Sequence, residues 1–297
     1  FWHHTLLLVL GAAWGLQFVL LKIATDAGLG EVNILLTSMA LLAAGFLAAM
    51  AVAKAWFRPT WRHIRFFTTS GFLGFVLPMG CIVIAAREIS AGLIVLFESL
   101  TPVFTILIAL LCRTETITLR RVIAITFGLL GVFCILAPTA MNPGGIGLLS
   151  IGFALALPFI YGTECVYVAA RWPNDLGSLQ IVTGEAVAGF CLLLPCLFWM
   201  DGVELSSWSM TTGHWAIVVF VLISFLEAYL YFSLISRSGA VFLSLASPIS
   251  MFAGIFLGIV LIGESHSMSV WLAVGLATFA LYFALFGDCS SACVEEA

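Results

Sequence analysis

Charge is what this sequence has least of. Of its 297 residues only 9% are Asp, Glu, Lys or Arg, against 63% hydrophobic, and the polar stretches are too short for a separate soluble domain. A water-soluble fold carries about a quarter charged residues, so that class is excluded. The five histidines, His3, His4, His63, His214 and His266, all fall at the ends of apolar runs or in the breaks between them. No nucleophile stands beside a base. The chain therefore lacks the parts of a buried metal, cofactor or acid–base site, and an intramembrane enzyme is not expected. Nothing points to nucleic acid. Cys81, Cys112, Cys134, Cys165, Cys191 and Cys196 lie in or beside apolar runs and read as free packing residues. Cys289 and Cys293 have no histidine with them, so metal is not expected there either. The first apolar run lacks a basic leader and a small-residue cleavage site, and is expected to stay as a first helix.

What the chain does have is apolar runs of spanning length. A helix crosses the hydrocarbon with about 20 apolar residues. By that measure there are ten spans, about 6–25, 32–53, 64–86, 90–112, 120–137, 146–170, 177–200, 214–235, 239–263 and 269–286. The expected fold is an all-α integral membrane protein in a lipid bilayer. Nine of the eleven Lys and Arg residues, among them Lys54, Arg58, Arg62 and Arg65, fall on one side of this arrangement, and only Lys22 and Arg87 on the other. Positive loops stay in the cytoplasm, so both termini are expected there, in a cell inner membrane.

Two spans carry polar interruptions at matching depth. In Ser90 to Cys112 an acidic residue, Glu98, lies near mid-span, where an ionised carboxylate costs roughly 2.5 to 3.5 kcal/mol and faces protein or a wet cavity instead of lipid. Pro102 has no N–H to give to the carbonyl of Glu98, four residues back. Val241 to Gly263 repeats the plan: Pro248 frees the carbonyl of Ser244, with Ser247 and Ser250 beside it. Pro102 and Pro248 are thus candidate hinges, and a pair of broken helices in corresponding places marks a binding site of transporter type.

The halves correspond throughout. Trp14-Gly15-Leu16-Gln17-Phe18-Val19 echoes Tyr161-Gly162-Thr163-Glu164-Cys165-Val166 at an offset of 147, while Pro102 and Pro248 give 146, Gly128 and Gly275 give 147, and Glu115 and Glu264 give 149. A duplicated unit of five helices is odd, so its second copy enters from the opposite side as an inverted-topology repeat. The expected units are 1–138 and 139–287, followed by a tail over 288–297.

Trp14-Gly15 with Phe18 and Lys22, Thr101-Pro102 followed by Glu115, Gly128 with Gly131, and Ser247-Pro248 with Gly263-Glu264 together resemble the drug/metabolite transporter superfamily, in its EamA-type permease branch. The sequence departs from the pattern at Thr114, where the family usually has Gly, and at Ser38-Met39, where it frequently has Arg. The resemblance implies a secondary transporter that exports small metabolites, amino acids first among them. Import, or efflux of a lipophilic cation, remains open within the same fold, and a channel is a further alternative.

The candidate substrate-binding residues are Trp14, Gln17, Phe18, Glu98, Tyr161, Glu227, Ser244 and Ser247. Trp14, Phe18 and Lys22 form one stripe of the first span with Gln17 beside it, although Gly11-x-x-x-Gly15 also marks that helix for close packing. Glu227 sits as deep as Glu98; Glu164 and Glu185 lie nearer the cytoplasmic end, with roles left open. Tyr161 stands where Trp14 stands in the other half and offers a ring and a hydroxyl. Glu115 and Glu264, at matching helix ends, are expected to be structural. The expected partners are a small metabolite and, at Glu98, protons.

Overall fold

The computed structural model describes residues 2–111, 118–140, 147–195, 210–244 and 246–285, without the side chains at 2, 109, 137–140, 169, 229, 232–244 and 285. Among these residues every element is helical and none is a strand. That is what lipid demands, since a helix satisfies its own backbone hydrogen bonds and an open sheet does not. Six helices are long and apolar enough to cross a membrane, and four shorter apolar ones accompany them.

The first is α1 (Trp2–Asp26), followed by α2 (Glu31–Val52). The next apolar run is continuous in space but not in hydrogen bonding. It comprises α3 (Trp61–Gly71), a π turn (Phe72–Val76) and α4 (Leu77–Ala85). Pro78 at the start of α4 cannot donate to Gly74, and the wider turn absorbs the lost bond, with the Leu77 N–H reaching back to the Phe72 carbonyl. This irregularity is not foreseen in the sequence reading. At Glu98 the chain breaks as Pro102 requires: α5 (Ala91–Glu98) is separated from α6 (Thr101–Leu111) by a turn at Ser99-Leu100. The carbonyl of Glu98 is not left open, however. The Thr101 hydroxyl donates to it at 2.6 Å, and the Ser99 hydroxyl donates to Leu96 O at 2.8 Å. Such healing by neighbouring hydroxyls is how a proline break survives at membrane depth.

The remaining helices are α7 (Leu119–Ala140), α8 (Leu148–Arg171), α9 (Ser178–Leu193), α10 (Thr212–Ser244), α11 (Ala246–Ile262) and α12 (Met268–Leu285). Pro158 lies inside α8. The eighth and ninth apolar runs differ from expectation. In place of a break over 236–238, α10 continues to Ser244. Gly239 costs a helix only about 1 kcal/mol, whereas the proline that forbids an internal hydrogen bond comes only at Pro248, three residues into α11. Residue 245, Glu115, the side chain of Ser244, the cysteines Cys112, Cys196, Cys289 and Cys293, and the tail 288–297 lie outside the described residues.

The helices pair in a regular way. Helix α1 packs on α10 and α11; α8 packs on α4 and α6; α2 pairs with α9, and α7 with α12. Glycines permit close approaches of α1 to α11 and of α8 to α6. A Cβ on Gly15 would lie 2.5 Å from Gly254 N and 2.6 Å from Ser250 O of α11, and one on Gly162 would lie 3.0 Å from Thr105 N of α6. Small residues of this kind let helix backbones meet in the membrane.

The end of the bundle that holds Asp26 is tied by polar contacts. Lys22 Nζ donates to Asp26 Oδ1 at 2.7 Å and to the Ala86 carbonyl at 2.6 Å, Arg87 pairs with Glu31, and Glu88 accepts from Gly147 N at 2.7 Å. Gly263, with φ at +70°, turns the chain out of α11 and delivers Glu264 to the start of α5. There the carboxylate accepts from Ala91 N at 2.5 Å and Gly92 N at 3.0 Å. These are unpaired donors of a helix N-terminus, where negative charge is favoured. Gly92 and Gly258 leave the room, since a Cβ on Gly258 would lie 2.5 Å from Glu264 Oε2. His266, buried at 2% side-chain exposure, stands 3.6 Å away. At the opposite end His63 meets Asp175 Oδ2 at 3.0 Å and Gln180 donates to the Ala55 carbonyl at 2.9 Å.

Candidate functional site

A cavity of about 260 Å3 opens in the interior, walled by α1, α2, the π turn and α4 from the first half of the chain and by α8, α9 and α10 from the second. The helices explain its polarity. Each presents mostly apolar residues, and the polar ones gather where the halves face one another, because lipid would charge for them elsewhere.

At mid-depth the cavity is organised by Glu227 of α10. Its Oε1 accepts from Trp14 Nε1 at 2.8 Å and its Oε2 from Gln17 Nε2 at 2.6 Å, and Gln17 also reaches Ser224 Oγ at 3.4 Å. The one-turn spacing of Trp14 and Gln17 on α1 puts an N–H on each oxygen of a carboxylate some 210 residues away in sequence. Both oxygens are held, so Glu227 is oriented before any solute arrives. Each still has a lone pair for a further donor.

Gln17, Phe18, Tyr161 and Glu227 line the cavity; Trp14 is behind them through its bond to Glu227. The cavity then runs toward the turn between α8 and α9, past Glu164 and Glu185 to Val168, Trp172 and Ile181. Glu98 and Ser247 are not among the residues that line it. Ser247 is buried in α11. Glu98 lies close enough to Glu227 and Tyr161 for their fields to interact, but its Oε2 is buried with no hydrogen-bond partner among the described residues. Pro102 lies in the first turn of α6, beside the break at Ser99-Leu100, and Pro248 lies in the first turn of α11.

The sequence reading left Glu164 and Glu185 without roles and passed over Ser224, Tyr231 and Gly74, all of which line the cavity. For Glu164 the signal was available, because it stands 147 positions after Gln17, the offset at which the two halves of the sequence correspond. Glu185 stands 147 positions after Ser38, whose hydroxyl is buried in α2 without a partner among the described residues. Gly74 is brought in by the π turn: a Cβ there would lie 3.7 Å from Glu164 Oε1. No periodicity in the sequence reports such a turn.

The cavity can hold a small solute, and its wall is acidic. Glu164, Glu185 and Glu227 line it, and among the described residues no Lys, Arg or His does. Among the described residues no group of His, Cys, Asp and Glu could hold a metal ion.

Apolar helices of spanning length around an interior cavity with acidic residues in its wall define a multi-pass membrane protein. Residues 1–137 match the EamA-like transporter family, the one that Trp14-Gly15, Thr101-Pro102 and Gly128 suggest in the sequence. The match covers the first part of the chain, and the members of that family are transporters. One solved structure, described only as the crystal structure of a protein, is 17% identical and superposes with a TM-score of 0.63 over 94% of this chain and 96% of its own. Its likeness shows the shared fold alone. Among curated proteins none matches the chain.

Proposed function

We propose that this protein is a secondary transporter that moves small metabolites, amino acids first among them, out of the cytoplasm by alternating access between two inverted five-helix repeats, 1–138 and 139–287. The observation that carries the reading is the cavity itself, whose walls come from both halves of the chain and meet at Glu227, Gln17 and Tyr161. Residues around a midplane site between repeats are what such a carrier requires.

The pairing of helices supports the repeat. Helix α1 against α10 and α11 has its counterpart in α8 against α4 and α6, and Gly15 and Gly162, 147 apart, make the close approaches in the two places. The pairs α2 with α9 and α7 with α12 are their own counterparts. Two near-equivalent arrangements then exist for one sequence, and opening one side while closing the other exchanges them. Nine basic residues against two favour an inner membrane with both termini in the cytoplasm. In that orientation the tied end with Glu264 faces out, and the cavity extends toward the cytoplasm.

Carboxylates suit the amine of an amino acid, with Tyr161 and Phe18 against its side chain and Glu98 the candidate for proton exchange behind them. Purified protein in liposomes loaded with a panel of labelled amino acids should release at least one faster than empty liposomes do. If none moves in either direction while another solute class does, the substrate assignment fails and the carrier reading stands. One observation favours a second reading, efflux of an organic cation: three carboxylates line the cavity and, among the described residues, no cationic side chain lines it with them. A quaternary ammonium included in the same panel separates the two.

A further inference from the structure

A second cavity, about 490 Å3, lies away from the first, on the lipid side of α2, α3 and α9. Leu47, Met50, Trp56, Phe67, Val187 and Leu192 make it apolar. Thr183, which also lines it, has already spent its hydroxyl on the Leu179 carbonyl at 2.6 Å. Its α9 wall runs from Thr183 to Leu192, roughly 14 Å of helix, so the groove descends along the bundle instead of crossing it. Its mouth is the loop between α2 and α3, where Trp56 and Trp61 are exposed, as aromatic residues are at the headgroup level.

Cations stand around that mouth. Lys54 stands just past the end of α2, with φ at 50°, in the loop that carries the lining residue Trp56, Arg58 sits between the lining residues Phe57 and Pro59, and Arg65 lies between the lining residues Ile64 and Thr68 on α3. All three are exposed and none is paired with a carboxylate among the described residues. Asp175, a carboxylate at the same end, is taken by His63.

We propose that this groove binds one anionic phospholipid, its acyl chain along α9 and its phosphate on Lys54, Arg58 and Arg65. An apolar groove alone accepts any lipid tail; the cations at its mouth select the headgroup. Phosphate oxygens accept several hydrogen bonds from guanidinium groups, and juxtamembrane basic residues add attraction for anionic lipids. Neutralising three of them should weaken retention on the order of 100-fold.

The test is native mass spectrometry of the full chain in detergent with phosphatidylglycerol or phosphatidylethanolamine of identical chains. Detergent solution makes the result independent of how a variant inserts. The wild type should keep one phosphatidylglycerol at least about ten times more strongly than phosphatidylethanolamine. Lys54→Gln/Arg58→Gln/Arg65→Gln should lose that preference. Cys191→Trp, which fills the groove from its exposed cysteine and leaves every cation in place, should lose the lipid as well. Equal retention of the two lipids by the wild type overturns the proposal. So does phosphatidylglycerol held unchanged by either variant. If the triple variant cannot be produced, the wild type and Cys191→Trp decide the matter between them.

Discussion

Adding one methyl group to Gly15 asks how much of this fold depends on the contact between α1 and α11. In Gly15→Ala the new Cβ would lie 2.5 Å from Gly254 N, 2.6 Å from Ser250 O and 3.1 Å from Ala253 C. All three are backbone atoms, so no side chain can rotate away, and α11 must move by about 1 Å to restore a contact near 3.5 Å. Overpacking of this kind costs typically 1–3 kcal/mol, a factor of roughly 5 to 150 in the folding equilibrium. Gly162→Ala meets Thr105 N at 3.0 Å and should cost less. Gly275→Ala, in α12, meets nothing within 4 Å and should be neutral or stabilising by up to about 1 kcal/mol, because alanine is the better helix former. The assay is thermal unfolding of each purified variant in one detergent. The expected order of apparent Tm is Gly275→Ala at or above wild type, then Gly162→Ala, then Gly15→Ala. If Gly15→Ala melts with Gly275→Ala, the α1–α11 contact is not as close as described, and the helix pairing behind the inverted repeat loses its main support.

Single cysteines placed in a cysteine-free version at 54–63 should resist an impermeant reagent in intact cells, whereas those at 138–146 and 201–213 should react; labelling at position 58 from outside overturns the orientation. Glu227→Gln removes the charge that Trp14 and Gln17 hold and should lower flux at least tenfold in liposomes; wild-type flux in that variant removes Glu227 from the site. Glu98→Gln separates a proton-exchanging role from a packing one: transport should lose its pH dependence, and unchanged flux with unchanged pH dependence makes Glu98 structural. Glu264→Ala takes the acceptor from Ala91 N and Gly92 N and should cost about 1–2 kcal/mol in detergent stability, with Glu264→Gln recovering part of it; equal stability of all three proteins refutes the capping role.

The sequence alone determined which stretches are helical and where the fourth of them breaks. Both are local matters: in hydrocarbon each helix must satisfy its own backbone, and a proline such as Pro102 removes one bond wherever its helix lies. It also set Gln17 and Glu164 at the 147-residue offset of the expected repeat, and both line the cavity. It misjudged the length of α10, because Arg237 and Gly239 signal a break that the backbone does not require. Tertiary structure decided the rest. Four carboxylates look alike along the chain, each an isolated acid in an apolar run, but packing separates them. Glu227 is taken by Trp14 and Gln17, Glu164 and Glu185 are turned into the cavity, and Glu98 is buried outside its lining. Likewise Glu264 reads as a helix end, and only the approach of α11 to α5 makes it the cap of a helix 173 residues away. Depth follows from position in a helix, which one residue after another specifies; the facing of a side chain follows from which helices meet, and that is a property of the whole bundle.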